Sequence, residues 1–328
     1  MINVQALSKR FGTTRALDGV DLSVQAGQVV ALLGPNGSGK TTLIRVLTTL
    51  LQPDGGRAFV AGFDLARQAS AVRCVIGLAG QYATVDELLT GRENLELVGR
   101  LYHLERAEYR RRAQHTLELL ALIDSGDRQV KTYSGGMRRR LDLGASLIGR
   151  PPVLFLDEPT TGLDPRTRND LWAFIQDLVK AGTTVLLTTQ YMQEAEHLAD
   201  SIVVIDAGKV VTLGTADELK DRLGGDVLEF QVAHRADLER SASLLARLGS
   251  APPLIDQDLS RIRIPTQGGA KALITGGRIL DDAGITLDDL GIRRPTLDDV
   301  FLATTGAADR ARRSQPATAP LSTRGPHE

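Results

Sequence analysis

Over the first 33 residues apolar positions alternate with polar ones and break at turns. The segments are Ile2-Asn3-Val4, then Ala16-Leu17-Asp18-Gly19-Val20-Asp21-Leu22, then Ala26-Gly27 ahead of the unbroken run Val29-Val30-Ala31-Leu32-Leu33. A period of two marks half-buried strands and an unbroken apolar run marks a strand covered on both faces, so short antiparallel strands lead here into one core strand. Thr41 to Leu51 has helical spacing, stopped by Gln52-Pro53-Asp54-Gly55-Gly56. Residues 86–128, rich in Leu, Glu and Arg with helical periodicity, predict a helical insertion. Val153-Leu154-Phe155-Leu156, Thr184-Val185-Leu186-Leu187 and Ile202-Val203-Val204-Ile205 are apolar runs separated by helical stretches, the pattern of parallel buried strands in an α/β layer.

Around Leu223-Gly224-Gly225 the pattern changes. Val227 to Val232 reads as a strand, Arg235 to Leu248 as a helix, Arg261 to Ile264 as a short strand, Gly268 to Ala283 as a second helix and Thr286 to Arg293 as a closing strand. That order suggests a split βαβ arrangement. A short helix follows from Pro295, with Thr296 and Asp299 spaced as a capping box. Phe301 and Leu302 close this domain's core or dock on a neighbouring surface. From about Gly306 Ala, Arg, Pro, Ser and Thr dominate, so 306–328 is expected to be a disordered tail.

Composition alters this picture little. With 42% hydrophobic and 24% charged residues the chain is an ordinary globular protein, and its net charge of −1 gives no reason to expect nucleic acid as a partner. The single Cys74 excludes an internal disulfide framework and a cysteine zinc site, and its apolar neighbours Val75 and Ile76 predict a small buried residue. Met1 leads directly into a strand, so no signal peptide is expected, and no apolar run is long enough to cross a bilayer. If the protein acts at a membrane, another polypeptide supplies the span.

Three segments carry the chemistry. Gly34-Pro35-Asn36-Gly37-Ser38-Gly39-Lys40-Thr41-Thr42 fits a phosphate-binding loop between a buried strand and a helix. Its glycines let backbone N–H groups wrap the phosphates, the helix N-terminus adds partial positive charge, Lys40 reaches the β- and γ-phosphates and Thr41 ligates Mg²⁺. Asp157 ends an apolar strand, where a carboxylate holds Mg²⁺, and Glu158 follows it, placed to polarise an attacking water. Tyr133-Ser134-Gly135-Gly136-Met137 is a second glycine-rich anion binder in a chain with only one nucleotide loop, which suggests that two copies share each nucleotide.

Together with Gln81 and Gly162-Leu163-Asp164, these segments resemble an ATP-binding cassette ATPase over about residues 2–222. The resemblance implies an α/β fold: a P-loop cassette with a parallel-sheet core, an antiparallel β subdomain and a helical subdomain at about 82–145. A small α+β accessory domain at 226–305 would follow. It also implies that Phe11 stacks on adenine, and that Gln81 couples the γ-phosphate and Mg²⁺ to the helical insertion. Ser134, Gly135 and Gly136 would bind the γ-phosphate held by the opposite copy, and Asp164 would lie at the dimer seam. The competing readings are a core aromatic for Phe11 and a surface amide for Gln81. ATP and Mg²⁺ are the implied cofactors.

Two positions depart from the family pattern. Met137 stands where Gln is usual, and Thr188-Thr189-Gln190 puts Gln190 where most members carry a switch histidine. A carboxamide cannot take a proton as imidazole does, but it can position water. His197 reads as a surface residue. Gln81-Tyr82-Ala83-Thr84-Val85-Asp86, the run Met137-Arg138-Arg139-Arg140, Thr189-Gln190-Tyr191 and Leu297-Asp298-Asp299-Val300-Phe301-Leu302 are similar to the daunorubicin-resistance ATPase subfamily. That implies a homodimer at the cytoplasmic face of the cell membrane, driving a separate transmembrane permease that exports a drug or lipophilic natural product. The alternatives are a soluble cassette ATPase and a low-turnover nucleotide-gated regulator.

Overall fold

The alternating N-terminal segment forms a hairpin of β1 (Ile2–Phe11) and β2 (Thr14–Val24), turned by Gly12 in the left-handed region at φ 57°. β3 (Val29–Leu33) follows, buried at every position, as its unbroken apolar run requires. α1 (Lys40–Leu47) stops short of the expected Leu51, because the Thr48 hydroxyl donates back to the Ile44 carbonyl (2.8 Å) and Thr49 turns to φ 63°. β4 (Gly55–Val60), β5 (Phe63–Asp64), α2 (Ala69–Val75) and β6 (Ile76–Ala79) complete the first half. Cys74 is exposed, contrary to the expectation from its neighbours. In α2 only Val72 is buried, and a residue two positions on points to the other side of a helix.

The structure, a computed structural model, describes residues 1–80, 85–223 and 225–303; the expected tail at 306–328 lies outside them. The helical insertion appears as α3 (Gly91–Leu101), α4 (Arg106–Leu119) and α5 (Gly135–Leu147). Thr90 and Glu93 form a reciprocal capping box at the start of α3. Leu95, Leu117, Val130, Leu141 and Ala145 give these helices their own apolar core. β7 (Val153–Asp157), α6 (Pro165–Lys180), β8 (Thr184–Thr189), α7 (Met192–Leu198), β9 (Ser201–Asp206), β10 (Lys209–Gly214) and α8 (Ala216–Leu223) follow.

Contacts divide the chain into two units, Met1–Leu219 and Lys220–Glu328. In the first, the main sheet has the order β10-β9-β3-β8-β7-β6, parallel except for β10. A second, antiparallel sheet runs β2-β1-β4-β5. Leu32, Leu43, Leu47, Phe155 and Leu186 of the main layer share one core with Leu7, Leu17 and Val20 of the hairpin. A loop at the C-terminal edge of β3 therefore rests on both sheets. Open parallel sheets bind ligands at such edges.

The second unit contains β11 (Asp226–Val232), α9 (Leu238–Leu245), β12 (Leu254–Asp256), β13 (Arg261–Thr266), α10 (Gly269–Asp282) and β14 (Leu287–Arg293). Its sheet is antiparallel with the order β12-β13-β11-β14, the split βαβ topology, with β12 added to the elements expected from the pattern. The helix from Arg235 to Leu248 is broken: short 3₁₀ turns flank α9. Thr296 and Asp299 cap the helical stretch 297–303 reciprocally.

Candidate active site

β3 delivers the chain into the glycine loop and α1 takes it away from Lys40, with Gly39 as N-cap at φ 110°. That conformation strains any other residue, and a Cβ there would run into the Ala16 carbonyl oxygen. The Lys40 ammonium donates to the Gly34 carbonyl (2.8 Å) and the Pro35 carbonyl (3.0 Å). Two of its three N–H bonds are thereby used, leaving one for a phosphate. Burial pushes Lys40 below its usual range, opposed by the charges of Glu158 and Asp157.

Asn36, Gly37, Gly39, Lys40, Thr41, Thr42 and Glu158 surround one cleft of about 200 Å³, together with Ala16. Ala16, from the β1–β2 sheet, carries no chemistry that a sequence could flag. Gly34, Pro35 and Ser38 complete the loop behind this lining. Phe11 is 50% exposed at the end of β1, which rules out the core reading, and Lys9 Nζ stands 5.8 Å from its ring centre. Gln81 lies outside the described residues.

The end of β7 presents Asp157 and Glu158. Asp157 Oδ1 accepts from Thr41 Oγ1 (3.2 Å) and Thr188 Oγ1 (2.6 Å). Glu158 sits at φ 50°, a conformation that costs about 1 kcal/mol or more outside glycine. Its N–H donates to Thr188 Oγ1 (3.0 Å) and to the Thr188 carbonyl (3.2 Å), and its carboxylate accepts from Thr161 Oγ1 (3.2 Å). Sequence reasoning missed Thr188: one hydroxyl ties both carboxylate residues to β8. Its only signal was a pair of threonines ending a strand buried at every position.

For a divalent cation the donor set is hard and small. A hydroxyl and a carboxylate oxygen meet at Thr41 and Asp157, and no cluster of three His, Cys, Asp or Glu exists among the described residues. That suits Mg²⁺, which keeps waters and substrate phosphates and needs only one or two protein oxygens.

Ser134 caps α5, its hydroxyl accepting from the Met137 N–H (3.2 Å) while keeping its own proton to donate. A Cβ on Gly136 would lie 2.8 Å from Thr167 Cγ2, so glycine lets the start of α5 approach the start of α6. Asp164 caps α6, accepting from the Thr167 N–H (3.0 Å) and hydroxyl (2.7 Å). Two helix N-termini thus lie together, a favourable place for an anion. Neither they nor Gln190 belong to the lining of the Lys40 cleft. Gln190 is exposed directly after β8, and His197 is exposed with its ring 4.8 Å from that of Trp172.

The ABC transporter family matches residues 17–161, from the Ala16 wall to the segment after Glu158. A daunorubicin resistance ATP-binding protein of Streptomyces coeruleorubidus is 54% identical over 93% of this chain and 95% of its own. A doxorubicin resistance ATP-binding protein of Mycobacterium tuberculosis is 44% identical over 92% of each chain. Among solved structures, a dimeric ATP-binding cassette in a post-hydrolysis state bound to ADP and Pi matches with a TM-score of 0.61 and 25% identity, covering 66% of this chain and 98% of that one. A phosphate loop, a paired Asp-Glu strand end and a capped glycine helix, set on this fold and with such relatives, identify the whole: the chain belongs to the ATP-hydrolysing, ATP-binding subunits of ABC transporters.

Proposed function

We propose that this chain powers the export of a drug or lipophilic natural product through a separate transmembrane permease, working as a homodimer with Mg²⁺ and ATP at the cytoplasmic face of the membrane. The observation that carries the chemistry is the cleft that joins Lys40, Thr41 and Glu158, with Asp157 hydrogen-bonded to Thr41 at its edge. The loop amides and Lys40 bind the β- and γ-phosphates, and Phe11 offers an exposed ring to the base. Thr41 and Asp157 would hold Mg²⁺, which when bound neutralises charge developing on the phosphates. Glu158, aimed by its two bonds to Thr188, orients and polarises the attacking water.

Ser134, Gly135 and Gly136 of one copy close on the nucleotide of the other, using the hydroxyl proton and the N-terminal amides of α5. Gln190 donates to the γ-phosphate and accepts from water without acting as a base. No helix among the described residues is long and apolar enough to cross a membrane, so the permease carries the spans. A groove of about 290 Å³ lined by Leu50, Ile76, Leu78, Val98 and Tyr102 would receive a cytoplasmic helix of that partner. Leu97 and Leu101 of α3 are also exposed. The names of the relatives support a drug as cargo.

Deleting the gene and complementing it with wild type or Glu158→Gln tests this reading. The deletion sensitises the host to an anthracycline, wild type restores resistance, and the variant binds ATP but neither hydrolyses it nor restores resistance. Unchanged sensitivity after deletion overturns the cargo. Wild-type ATPase in the purified variant overturns the role of Glu158.

A further inference from the structure

Of the three arginines that follow the signature glycines, two serve the surface of the helical region. Arg138 pairs with Glu87 (2.7 Å) and Arg140 donates to the Leu120 carbonyl (2.9 Å). Arg139, roughly 100° round the helix from each, turns inward, and only 12% of its side chain remains exposed. Its Nε donates to the Pro159 carbonyl (2.9 Å), and its Nη2 to the carbonyls of Glu158 (3.1 Å) and Asp157 (3.3 Å). Nη1 donates to the carbonyl of Gly80 and stands 3.6 Å from Asp142 Oδ2, one turn further along α5. A single fork thus grips the ends of β6 and β7, the two strand ends that lead into Gln81 and through Glu158.

A buried guanidinium is expensive to desolvate, and it is tolerated where geometry satisfies its donors. Here its hydrogen-bond partners are main-chain oxygens, with Asp142 as the counter-charge, so it reads the position of the backbone of β6 and β7 rather than side-chain identity there. Glu158, held at φ 50°, is pinned on both sides: Thr188 takes its N–H and Arg139 takes its carbonyl. The direction of the Glu158 carboxylate is therefore set through the same group that fixes the rotation of α5. In the function proposed above, the N-terminus of α5, capped by Ser134, is the anion binder that one copy offers to the other.

We infer that Arg139 is a positioning residue that couples the two ATP sites of the dimer, transmitting the backbone state of Glu158 and Gly80 in one site to the Ser134–Gly136 helix end that completes the other. The inference rests on the site roles proposed above. When nucleotide draws in Glu158 or the residue after Gly80, the guanidinium moves with their carbonyls and α5 moves with the guanidinium. A lysine would keep the charge near Asp142 but, as a point donor, could not span four carbonyls.

The test uses the full chain in four forms: Glu158→Gln, Arg139→Gln with Glu158→Gln, Arg139→Gln alone, and Arg139→Lys. ATP affinity, ATP-dependent dimerisation by sedimentation, thermal midpoint, steady-state kcat and KM and the Hill coefficient are measured on each. Glu158→Gln binds ATP and dimerises. Adding Arg139→Gln leaves ATP affinity within twofold and weakens the dimer at least tenfold. Arg139→Gln alone lowers kcat at least tenfold, with KM little changed and the Hill coefficient falling towards 1. Arg139→Lys, which retains the charge if the glutamine variant folds poorly, shows the same pattern at smaller amplitude. Equal dimerisation of the single and double variants overturns the coupling while leaving Glu158 in its role. ATP affinity and thermal midpoint falling in step with kcat also overturn it, because that is the signature of a merely structural arginine. Wild-type hydrolysis by Glu158→Gln overturns the reading of the site and the coupling together.

Discussion

The two units of this chain use buried charge in opposite ways. In the second unit Glu229, on β11, lies 3.0–3.1 Å from Arg263 and Arg293 and 3.6 Å from Arg261, and Arg293 closes on Asp299 with bonds of 2.6 and 2.9 Å. The Asp299 carboxylate also accepts the N–H (2.8 Å) and hydroxyl (2.9 Å) of Thr296, so sheet and closing helix form one self-satisfied network. Hydrogen bonding to Asp299 pushes the Arg293 guanidinium up from its usual range. In the first unit the polar groups converge on a cleft and stop there: Lys40 with one N–H to spare, Asp157 beside Thr41, Glu158 strained at its rim. A closed network serves stability, and an unfinished one is built to be completed by a ligand. Among the described residues the polar groups left open to a ligand lie in the cassette, while those of the second unit satisfy one another.

Thr188→Val sharpens that contrast most. The swap is nearly isosteric, but Asp157 loses a 2.6 Å donor and the Glu158 N–H keeps only the Thr188 carbonyl. A misplaced water-polarising carboxylate lowers turnover on the order of 10- to 100-fold. Thermal midpoint falls far less than turnover does, because the methyl that replaces the hydroxyl still fills the strand's buried position and Asp157 keeps its bond from Thr41. Steady-state ATPase beside differential scanning calorimetry checks both halves. Wild-type kcat in this variant would show that Glu158 is aimed by something else.

Thr188 also shows what the sequence could and could not disclose. The phosphate loop was legible because its parts are contiguous, and the strands β3, β7, β8 and β9 because burial on both faces gives each an unbroken apolar run, with polar residues confined to the strand ends. Thr188 meets Asp157 from 31 positions away and Arg139 meets Gly80 from 59, so neither bond has a local signature. β12 went unread because three half-buried residues carry no period, and Cys74 was misjudged because apolar neighbours in sequence occupy different faces of a helix. Phe11 was legible only as a pair of alternatives, of which its exposure removes the core aromatic.

Asp299→Asn attacks the other side of the comparison. Burial pushes the Asp299 carboxyl up, but the hydrogen bonds from Arg293 and Thr296 and the Arg293 charge outweigh it and hold the group below the usual carboxylate range. The unfolded chain therefore takes up a proton first as pH falls. The stabilisation from Asp299 is complete above the unfolded value of about 4 and drains away as pH drops through the lower native value. Replacing the carboxylate by an amide costs about 1–3 kcal/mol at neutral pH and removes that acid dependence. ATPase activity of the full chain stays within about twofold. Denaturation of the full chain between pH 3 and 7 reads the first effect, and a large loss of turnover at neutral pH would mean that the second unit takes part in the cycle.

The smallest effect tests whether every buried charge in the cassette is catalytic. Glu194, on α7, is fully buried and accepts from Trp172 Nε1 (3.0 Å). Burial pushes its carboxyl up, with the nearby Thr189 and Thr160 hydroxyls, the Trp172 N–H and the Arg168 charge only partly opposing. An acid raised in the fold gives stability that is present below its unfolded value and lost as pH rises through its native value, so burying Glu194 costs stability once the pH passes the unfolded value. Glu194→Gln keeps an oxygen for Trp172 and removes the ionisation. The variant gains about 1 kcal/mol or less at pH 8, and the decline in its thermal midpoint with rising pH flattens. Turnover remains near wild type, since Glu194 is not part of the cleft lining. A collapse of turnover without loss of stability would instead place this carboxylate among the groups that respond to nucleotide, through Thr189 and the exposed Gln190 beside it, and the unfinished network of the cassette would then reach one layer deeper than its cleft.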